Sequence, residues 1–149
     1  MINNLNTTEK AIILHTNYIG DLGYLNHNEP SIAPITYFYN EDENNITCHL
    51  SNMHKIKALR ENHNVSLCVS AINSINDWKS VLVHGTFKEH TGSGAKSILH
   101  NMYLGVQKLM RNKNESRLDF INQFSSKVND NDIPIIFTIE IDAITGTQN

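Results

Sequence analysis

The sequence lacks any long apolar run and any strong excess of charge. Its 149 residues carry 12 lysines and arginines and 15 acids, a formal net charge of −3. No stretch is long and apolar enough to span a bilayer. Residues 1–10 are polar and only four apolar residues follow, so no signal peptide is expected. No lysine or arginine cluster exceeds a pair, which argues against general nucleic-acid binding. We therefore expect a cytoplasmic protein that binds neither membranes nor nucleic acid.

Spacings that hold a structural metal are also missing. The only cysteines, Cys48 and Cys68, form no Cys-x-x-Cys pair, and the eight histidines form no His-x3-His pair. We expect no metal site. Two isolated thiols in a chain of this kind are expected to stay reduced.

Motifs for covalent catalysis and nucleotide binding are absent. No Gly-x-Ser-x-Gly occurs, and the Gly92-Ser93-Gly94 run is not followed by Gly-Lys-Ser/Thr. Acidic residues cluster only in Glu41-Asp42-Glu43, which lies in a predicted loop. The sequence therefore identifies no catalytic residue.

What is present is the composition of an ordinary globular domain. Hydrophobic residues make up 40% of the chain and charged residues 18%. At this length we expect a single domain over residues 1–149 that buries one core without disulfides.

Apolar alternation and β-branched residues predict six strands, and most links between them have the length of a hairpin. The strands are expected at residues 19–25, 31–39, 46–49, 65–70, 79–89 and 135–141. Short links favour a mainly antiparallel sheet closed into a small barrel. Pro34 is expected at an edge or a bulge of its strand, because it cannot donate a ladder hydrogen bond. Turns are expected at 26–30, 40–45 and 73–77, and the ordered chain is expected to end near Gly146.

Two or three helices accompany the strands. Thr7 or Thr8 is expected to cap a first helix that ends near His15, with Ile12 and Ile13 facing the core. After a turn at 91–94, apolar residues recur at helical spacing to about residue 110. A further helical turn or two is suggested by Leu118, Phe120, Ile121 and Phe124.

The remaining helix lies in the stretch HLSNMHKIKALRENHNVSLCVS, residues 49–70. Ser51 or Asn52 supplies a capping oxygen. Asn62 and Asn64 are suited to the left-handed conformation that stops a helix. The first helical turn, residues 53–55, leaves backbone N–H groups free beside Lys55. Free amides, the helix dipole and an ammonium group together predict an anion site, most naturally for a phosphate.

Six segments in order carry a resemblance to a known family. They are IGDLGYL (19–25), PITYFY (34–39), HLSNMHKIKALR (49–60), NVSLCV (64–69), WKSVLVHG (78–85) and FTIEIDAITG (137–146). The chain resembles the FMN-binding split-barrel proteins related to pyridoxamine 5'-phosphate oxidase, and especially the branch that includes nitroimidazole-resistance proteins. The resemblance implies a mainly β, α+β fold, namely a six-stranded antiparallel split β-barrel with two or three peripheral helices.

The resemblance also implies a homodimer with FMN in clefts at the dimer interface. His54 and Lys55, helped by Ser51, would hold the flavin phosphate, and His49 would lie beside the cleft. One strand would run along the ring and ribityl chain, and another, after the possible ring wall Trp78, would approach the ring. The cofactor-binding residues implied are Pro34, Ile35, Thr36, Tyr37, His49, Ser51, His54, Lys55, Trp78, Ser80 and Val81.

The function implied is that of an FMN-binding flavoprotein, an oxidoreductase acting on a small molecule. Leu50 and Met53 replace residues that are small in many relatives, so modest flavin affinity is expected. No arginine and histidine set near the C-terminus resembles the grip of the oxidase on substrate phosphate. Oxidation of pyridoxamine phosphate is therefore not expected. The alternatives are a non-catalytic flavin- or haem-binding module of the same fold, and an empty barrel used for protein contacts.

Overall fold

Antiparallel strands form a closed ring in this protein, and three helices pack against it. The computed structural model describes residues 1–113 and 134–149. The elements are β1 (Asn3–Asn4), α1 (Thr7–Thr16), β2 (Ile19–Asn26), β3 (Glu29–Asn40), β4 (Asn45–Leu50), α2 (Met53–Glu61), β5 (Asn64–Ser74), β6 (Asp77–His90), α3 (Gly92–Asn112) and β7 (Ile135–Gln148). The strand order is β1-β7-β4-β3-β2-β5-β6, and β6 also pairs with β7. This ring confirms the predicted split-barrel class and adds the short β1.

Alternating residues of the strands fill the inside of the ring. In β6, Val81 and Val83 are fully buried while His84 is exposed, as the alternation predicted. The main core also takes one leucine from each short helix, Leu14 from α1 and Leu59 from α2. These two helices therefore contribute to the barrel core.

Helix α3 packs on the outer face of the ring. Leu99, Met102 and Val106 form a second cluster with Tyr18 and Ile136. Their helical spacing is the one predicted from the sequence, although α3 begins at Gly92, three residues before the helix start that the predicted turn at 91–94 implied.

The predicted start of α1 was wrong. The N-cap is Asn6, not Thr7 or Thr8. The Asn6 side chain accepts from the Glu9 N–H at 2.8 Å, and the Glu9 carboxylate accepts from the Asn6 N–H at 3.1 Å. This reciprocal pair satisfies two donors at once. Ile13 is buried as expected, but Ile12 is 53% exposed because it lies on the solvent side of the helix.

Several strands are longer than the sequence indicated. The expected loop at 73–77 is a tight turn, since β5 runs to Ser74 and β6 begins at Asp77. The turn at 26–30 is also shorter, with His27 and Asn28 at φ of 50° and 66°. β7 continues past Gly146 to Gln148, because its end pairs with the start of β6. Cross-strand partners, which no local pattern shows, set these lengths.

The end of α2 differs from the prediction. Asn62 is extended, with φ of −137°, and its N–H donates to the Ala58 carbonyl at 3.0 Å. Asn64 is already the first residue of β5. Neither asparagine adopts the left-handed conformation. The helical turns suggested around Leu118 to Phe124 lie outside the described residues.

Among the described residues, no helix is both long and apolar enough to cross a membrane. Cys48 is buried, Cys68 is half-buried, and neither is in a disulfide.

Gly105 sets how closely α3 approaches the sheet, and this yields a stability prediction. A Cβ at Gly105 would overlap the ring of Phe38 on β3. Overpacking costs about 1–3 kcal/mol, which exceeds the gain of about 1 kcal/mol in helix propensity on changing Gly to Ala. We expect Gly105→Ala to lower the free energy of unfolding, measured by urea denaturation.

Gly94 provides the matched control in the same helix. A Cβ there meets no atom of the described residues within 4 Å. Gly94→Ala should leave stability unchanged or raise it slightly. An equal loss in both variants would contradict the close approach of α3 to Phe38.

Candidate functional site

Helix α2 begins directly after β4, with only Ser51 and Asn52 between them. Asn52 is the N-cap, so of the two candidates the structure selects Asn52. Its side chain accepts from the Lys55 N–H at 3.1 Å, and its carbonyl accepts from the Ile56 N–H at 3.0 Å. The amides of Met53 and His54 have no partner within the helix. The first turn contains no acidic residue. The helix dipole therefore favours an anion here.

The position of α2 is fixed by its buried stripe and by one ion pair. Ile56, Ala58 and Leu59 are buried, as their spacing predicted. At the other end, Arg60 makes a bidentate pair with Glu89 of β6, at 2.8 and 2.9 Å. The hydrogen bond to Glu89 raises the pKa of Arg60. Packing along the helix and a contact at its C-terminal end together hold the N-terminus in place.

One edge of β3 is left open beside β4. β3 pairs with β2 from Glu29 to Thr36, whereas β4 pairs only with residues 37–40 of β3, the last pair being Tyr37 with Cys48. Within residues 1–113 and 134–149, no strand takes over on that side of β3 where β4 stops. The barrel is therefore split between β3 and the chain that leads into α2.

The alternation of backbone hydrogen bonds along β3 shows which backbone groups line this opening. The Tyr37 N–H donates to the Tyr18 carbonyl at 2.8 Å. The backbone N–H and C=O groups of odd-numbered β3 residues therefore point toward β2. The backbone groups of Pro34 and Thr36 consequently face the open edge. Pro34 fits there because it has no N–H to leave unpaired, which confirms the predicted edge position.

Three of the predicted cofactor-binding side chains point into the core. Ile35, Tyr37 and Val81 are 7%, 0% and 0% exposed. The Tyr37 hydroxyl donates to the Leu14 carbonyl at 2.9 Å, and burial raises its pKa. Their side chains therefore do not reach a ligand outside the ring. The backbone groups of Ile35 and Tyr37 face β2, and Val81 is paired with β5 on one side and β7 on the other. The open edge is thus lined by the backbone of Pro34 and Thr36.

His49 is the residue before the last of β4, close to the start of α2. It is half-buried and lies opposite Ile136 of β7. Burial lowers its pKa, so the neutral imidazole is favoured at this corner. The structure therefore brings His49, Ser51, His54 and Lys55 to one end of β4. Among the described residues, no group of three or more His, Cys, Asp or Glu is placed to hold a metal ion.

Trp78 and Ser80 lie elsewhere on the sheet. Both are half-buried on β6, and β2 and β5 separate that strand from β3. Three strand spacings of about 4.8 Å place them roughly 14 Å from the open edge along the sheet. Ser80 Oγ is 3.0 Å from Ser70 Oγ and 3.5 Å from Cys68 Sγ. The chain thus presents the predicted residues as two groups.

A further feature, not predicted from the sequence, is a cavity of about 520 Å³ that none of the predicted residues lines. Ser66 and His84 meet at its floor, with Ser66 Oγ 2.8 Å from His84 Nδ1. Their outward alternation was visible in the sequence, but their pairing across β5 and β6 was not. The contact becomes apparent only from the strand register, which pairs Ser66 of β5 with His84 of β6.

Comparison with known proteins establishes the family. The family model described as pyridoxamine 5'-phosphate oxidase matches residues 7–146. The chain belongs to the pyridoxamine 5'-phosphate oxidase family. This confirms the resemblance of the six segments. No curated protein sequence matches the chain.

Solved structures share the fold of this family member at low identity. An FAD-binding protein from Mesorhizobium loti has a TM-score of 0.74 and 21% identity, over 100% of this chain and 99% of that one. A candidate 5-nitroimidazole antibiotic resistance protein from Bacteroides thetaiotaomicron has a TM-score of 0.67 and 13% identity, over 99% of this chain and 87% of that one. A haem-binding protein from Mycobacterium smegmatis has a TM-score of 0.61 and 13% identity, over 91% of this chain and 52% of that one. These likenesses establish the fold.

The depressed pKa of His49 gives a pH prediction. The ordinary histidine value is 6.5, and burial lowers it in the folded chain. As pH falls below 6.5, His49 binds a proton more readily in the unfolded chain than in the folded one, which favours unfolding. The contribution of neutral His49 to the free energy of unfolding is therefore complete above pH 6.5 and is lost as pH falls. We expect the urea midpoint to drop between about pH 7.5 and pH 5.5, and to drop less in His49→Gln. Equal drops in the two proteins would contradict this assignment.

Proposed function

We propose that this protein is an FMN-binding flavoprotein that acts as a redox enzyme on a small molecule. The observation that carries the proposal is a pair of open features that arise where β4 leaves β3: the N-terminus of α2, with Lys55, and the unpaired edge of β3. Each offers hydrogen-bonding groups of the backbone to a ligand. Together they match a molecule with a phosphate at one end and a planar, hydrogen-bonding ring at the other.

The α2 corner, meaning residues 49–55 together with the open edge of β3 at Pro34–Tyr37, fits the parts of FMN. The amides of Met53 and His54, the ammonium group of Lys55 and the Ser51 hydroxyl would hold the phosphate, with His54 as a second, pH-dependent cation. The backbone of Pro34–Tyr37 would run along the ribityl chain and ring. His49 would close the side of the cleft as a neutral imidazole. The flavin would supply hydride and electron transfer, while the protein orients it and tunes its electronics.

A second copy of the chain is part of the proposal. In the same protomer β2 and β5 lie between β3 and the strand that carries Trp78 and Ser80, so a partner would present them to the ring. Isoleucines on the outer face near Ser80 support such a contact, because Ile19 and Ile72 are 58% and 74% exposed. Exposed apolar side chains grouped on one face are typical of an interaction surface. A chain that stayed strictly monomeric with flavin bound would contradict this arrangement.

The alternative is a module of the same fold that binds flavin or haem without turnover. The FAD-binding and haem-binding proteins among the structural neighbours keep this alternative open. The N-terminus of α2 supports FMN as the ligand, because free helix amides beside Lys55 suit the phosphate that FMN carries. Turnover is the property that separates the enzyme from the module. Oxidation of pyridoxamine phosphate is not part of the proposal.

The phosphate site is tested by Lys55→Ala. A hydrogen bond to a charged group is worth about 1.5–3 kcal/mol, so FMN should bind roughly ten- to a hundred-fold more weakly. Riboflavin, which lacks the phosphate, should lose nothing. The measurement is a titration of flavin fluorescence with each protein.

Lys57 is the matched control for this experiment. It lies on the same helix two residues further on and is exposed. Lys57→Ala should leave FMN affinity within about twofold of the parent. FMN affinity that Lys55→Ala does not change, or a loss shared with riboflavin, would refute the phosphate assignment.

Turnover separates the enzyme from the binding module. The protein loaded with FMN is mixed anaerobically with NADH or NADPH, and the flavin absorbance is followed before and after addition of a nitroaromatic compound. Bleaching by a nicotinamide and recovery with the acceptor are expected for the enzyme. Flavin that stays oxidised with both donors, or stays reduced with the acceptor, would favour the module. Protein that remains colourless after FMN addition and gel filtration would reject both flavin hypotheses.

A further inference from the structure

The cavity of about 520 Å³ is a slot that opens where two hairpins part. β2 pairs with β5 only from Asp21 to Gly23, and Gly23 lies opposite Ser66. Beyond Gly23 the β2–β3 hairpin continues without β5 as a neighbour. The slot lies between this hairpin, the first residues of β5, and His84 and Gly85 of β6, and has the size of a pocket for a drug-sized ligand.

The walls of the slot are mainly apolar and its floor is polar. Tyr24, Leu25 and Ile32 come from the hairpin, and Val65 comes from β5. His84 is exposed at the floor, and its Nδ1 is tied to Ser66 Oγ at 2.8 Å. In the hydrogen bonds of the described residues, its Nε2 takes no part. The imidazole is thus oriented by one nitrogen and offers the other to a ligand.

The charge of the lining selects against anions. Among the described residues that line it, Asp142 is the one carboxylate, oriented by a hydrogen bond from Thr86 Oγ1 at 3.3 Å, and none is a lysine or arginine. A flavin phosphate would therefore be disfavoured here, in contrast to the α2 corner. A flat apolar body with a neutral or positive hydrogen-bonding group complements the slot.

We propose that this slot is a second ligand site, separate from the α2 corner, for a neutral or cationic flat aromatic molecule that hydrogen-bonds to His84. Gly23 makes room for it. A Cβ at Gly23 would lie 3.7 Å from the Ser66 carbonyl oxygen, in ordinary contact, so a side chain is tolerated there and would project into the slot. The proposal does not depend on flavin binding.

The test is calorimetric titration of the full chain with 4-aminoquinoline, a flat bicyclic cation, with and without FMN. We expect one molecule bound per chain, with affinity falling about tenfold or more in Gly23→Val, which fills the slot, and in His84→Ala, which removes the hydrogen bond. His100→Ala, at an exposed position of α3, should bind as the parent does. The anion 1-naphthoate should bind at least about tenfold more weakly.

Four results would overturn the proposal: no binding of 4-aminoquinoline at millimolar concentration, unchanged affinity in Gly23→Val, competition with FMN, or affinity that rises as the protein is diluted. The last would show that a second copy of the chain covers the slot. If Gly23→Val fails to fold by circular dichroism, His84→Ala against His100→Ala decides alone. Failure here leaves the Lys55 experiment unaffected, and the reverse also holds.

Discussion

The point at which β4 parts from β3 governs the rest of this structure. The two strands share only four paired positions, and β4 then leads through Ser51 and Asn52 into α2. Had β4 continued, it would have covered the backbone of Thr36 and Pro34, and no helix would begin beside that edge. The proline itself discourages a longer ladder, since it cannot donate to a neighbouring strand. One early departure thus creates both the split in the barrel and the helix N-terminus beside it.

Much of the fold follows from local pattern. Alternation in β6 predicted which side of the strand is buried, and the spacing of Leu99, Met102 and Val106 predicted the buried side of α3. Tertiary contacts overrode local pattern elsewhere. Asn6 caps α1 because its side chain and Glu9 satisfy each other, and Ile12 faces solvent because Ile13 and Leu14 already fill the core side. The end of β7 is strand because β6 lies beside it.

The candidate site was predictable in part for the same reason. The cap, the free amides and Lys55 lie within one short stretch of chain, so sequence indicated an anion site there. The open edge of β3 and the Ser66–His84 contact depend on register between distant strands. The register between two strands cannot be read from a sequence, and a one-residue shift of one strand would turn each of its side chains to the opposite face of the sheet. Ile35, Tyr37 and Val81 illustrate this, since family resemblance placed them at the cofactor while their side chains fill the core.

The proposed flavin site at the N-terminus of α2 has few charged groups. Lys55 is the one permanent cation in the first turn of α2, and His54 adds charge only when protonated. Met53 and Leu50 bring bulk where small side chains would allow a closer approach to phosphate. Such a corner suits a cofactor held with modest affinity and kept mainly by backbone groups. His49, half-buried and favoured in its neutral form, adds polarity without charge.

The most direct measurement is a crystal structure of the protein grown with FMN. The phosphate should lie within hydrogen-bond distance of Lys55 Nζ and the His54 amide, with the ring along Pro34–Tyr37 and Ser80 of the partner subunit facing it. A phosphate bound on any other surface, or electron density for FMN absent from the α2 corner at saturating concentration, would contradict the proposed flavin site.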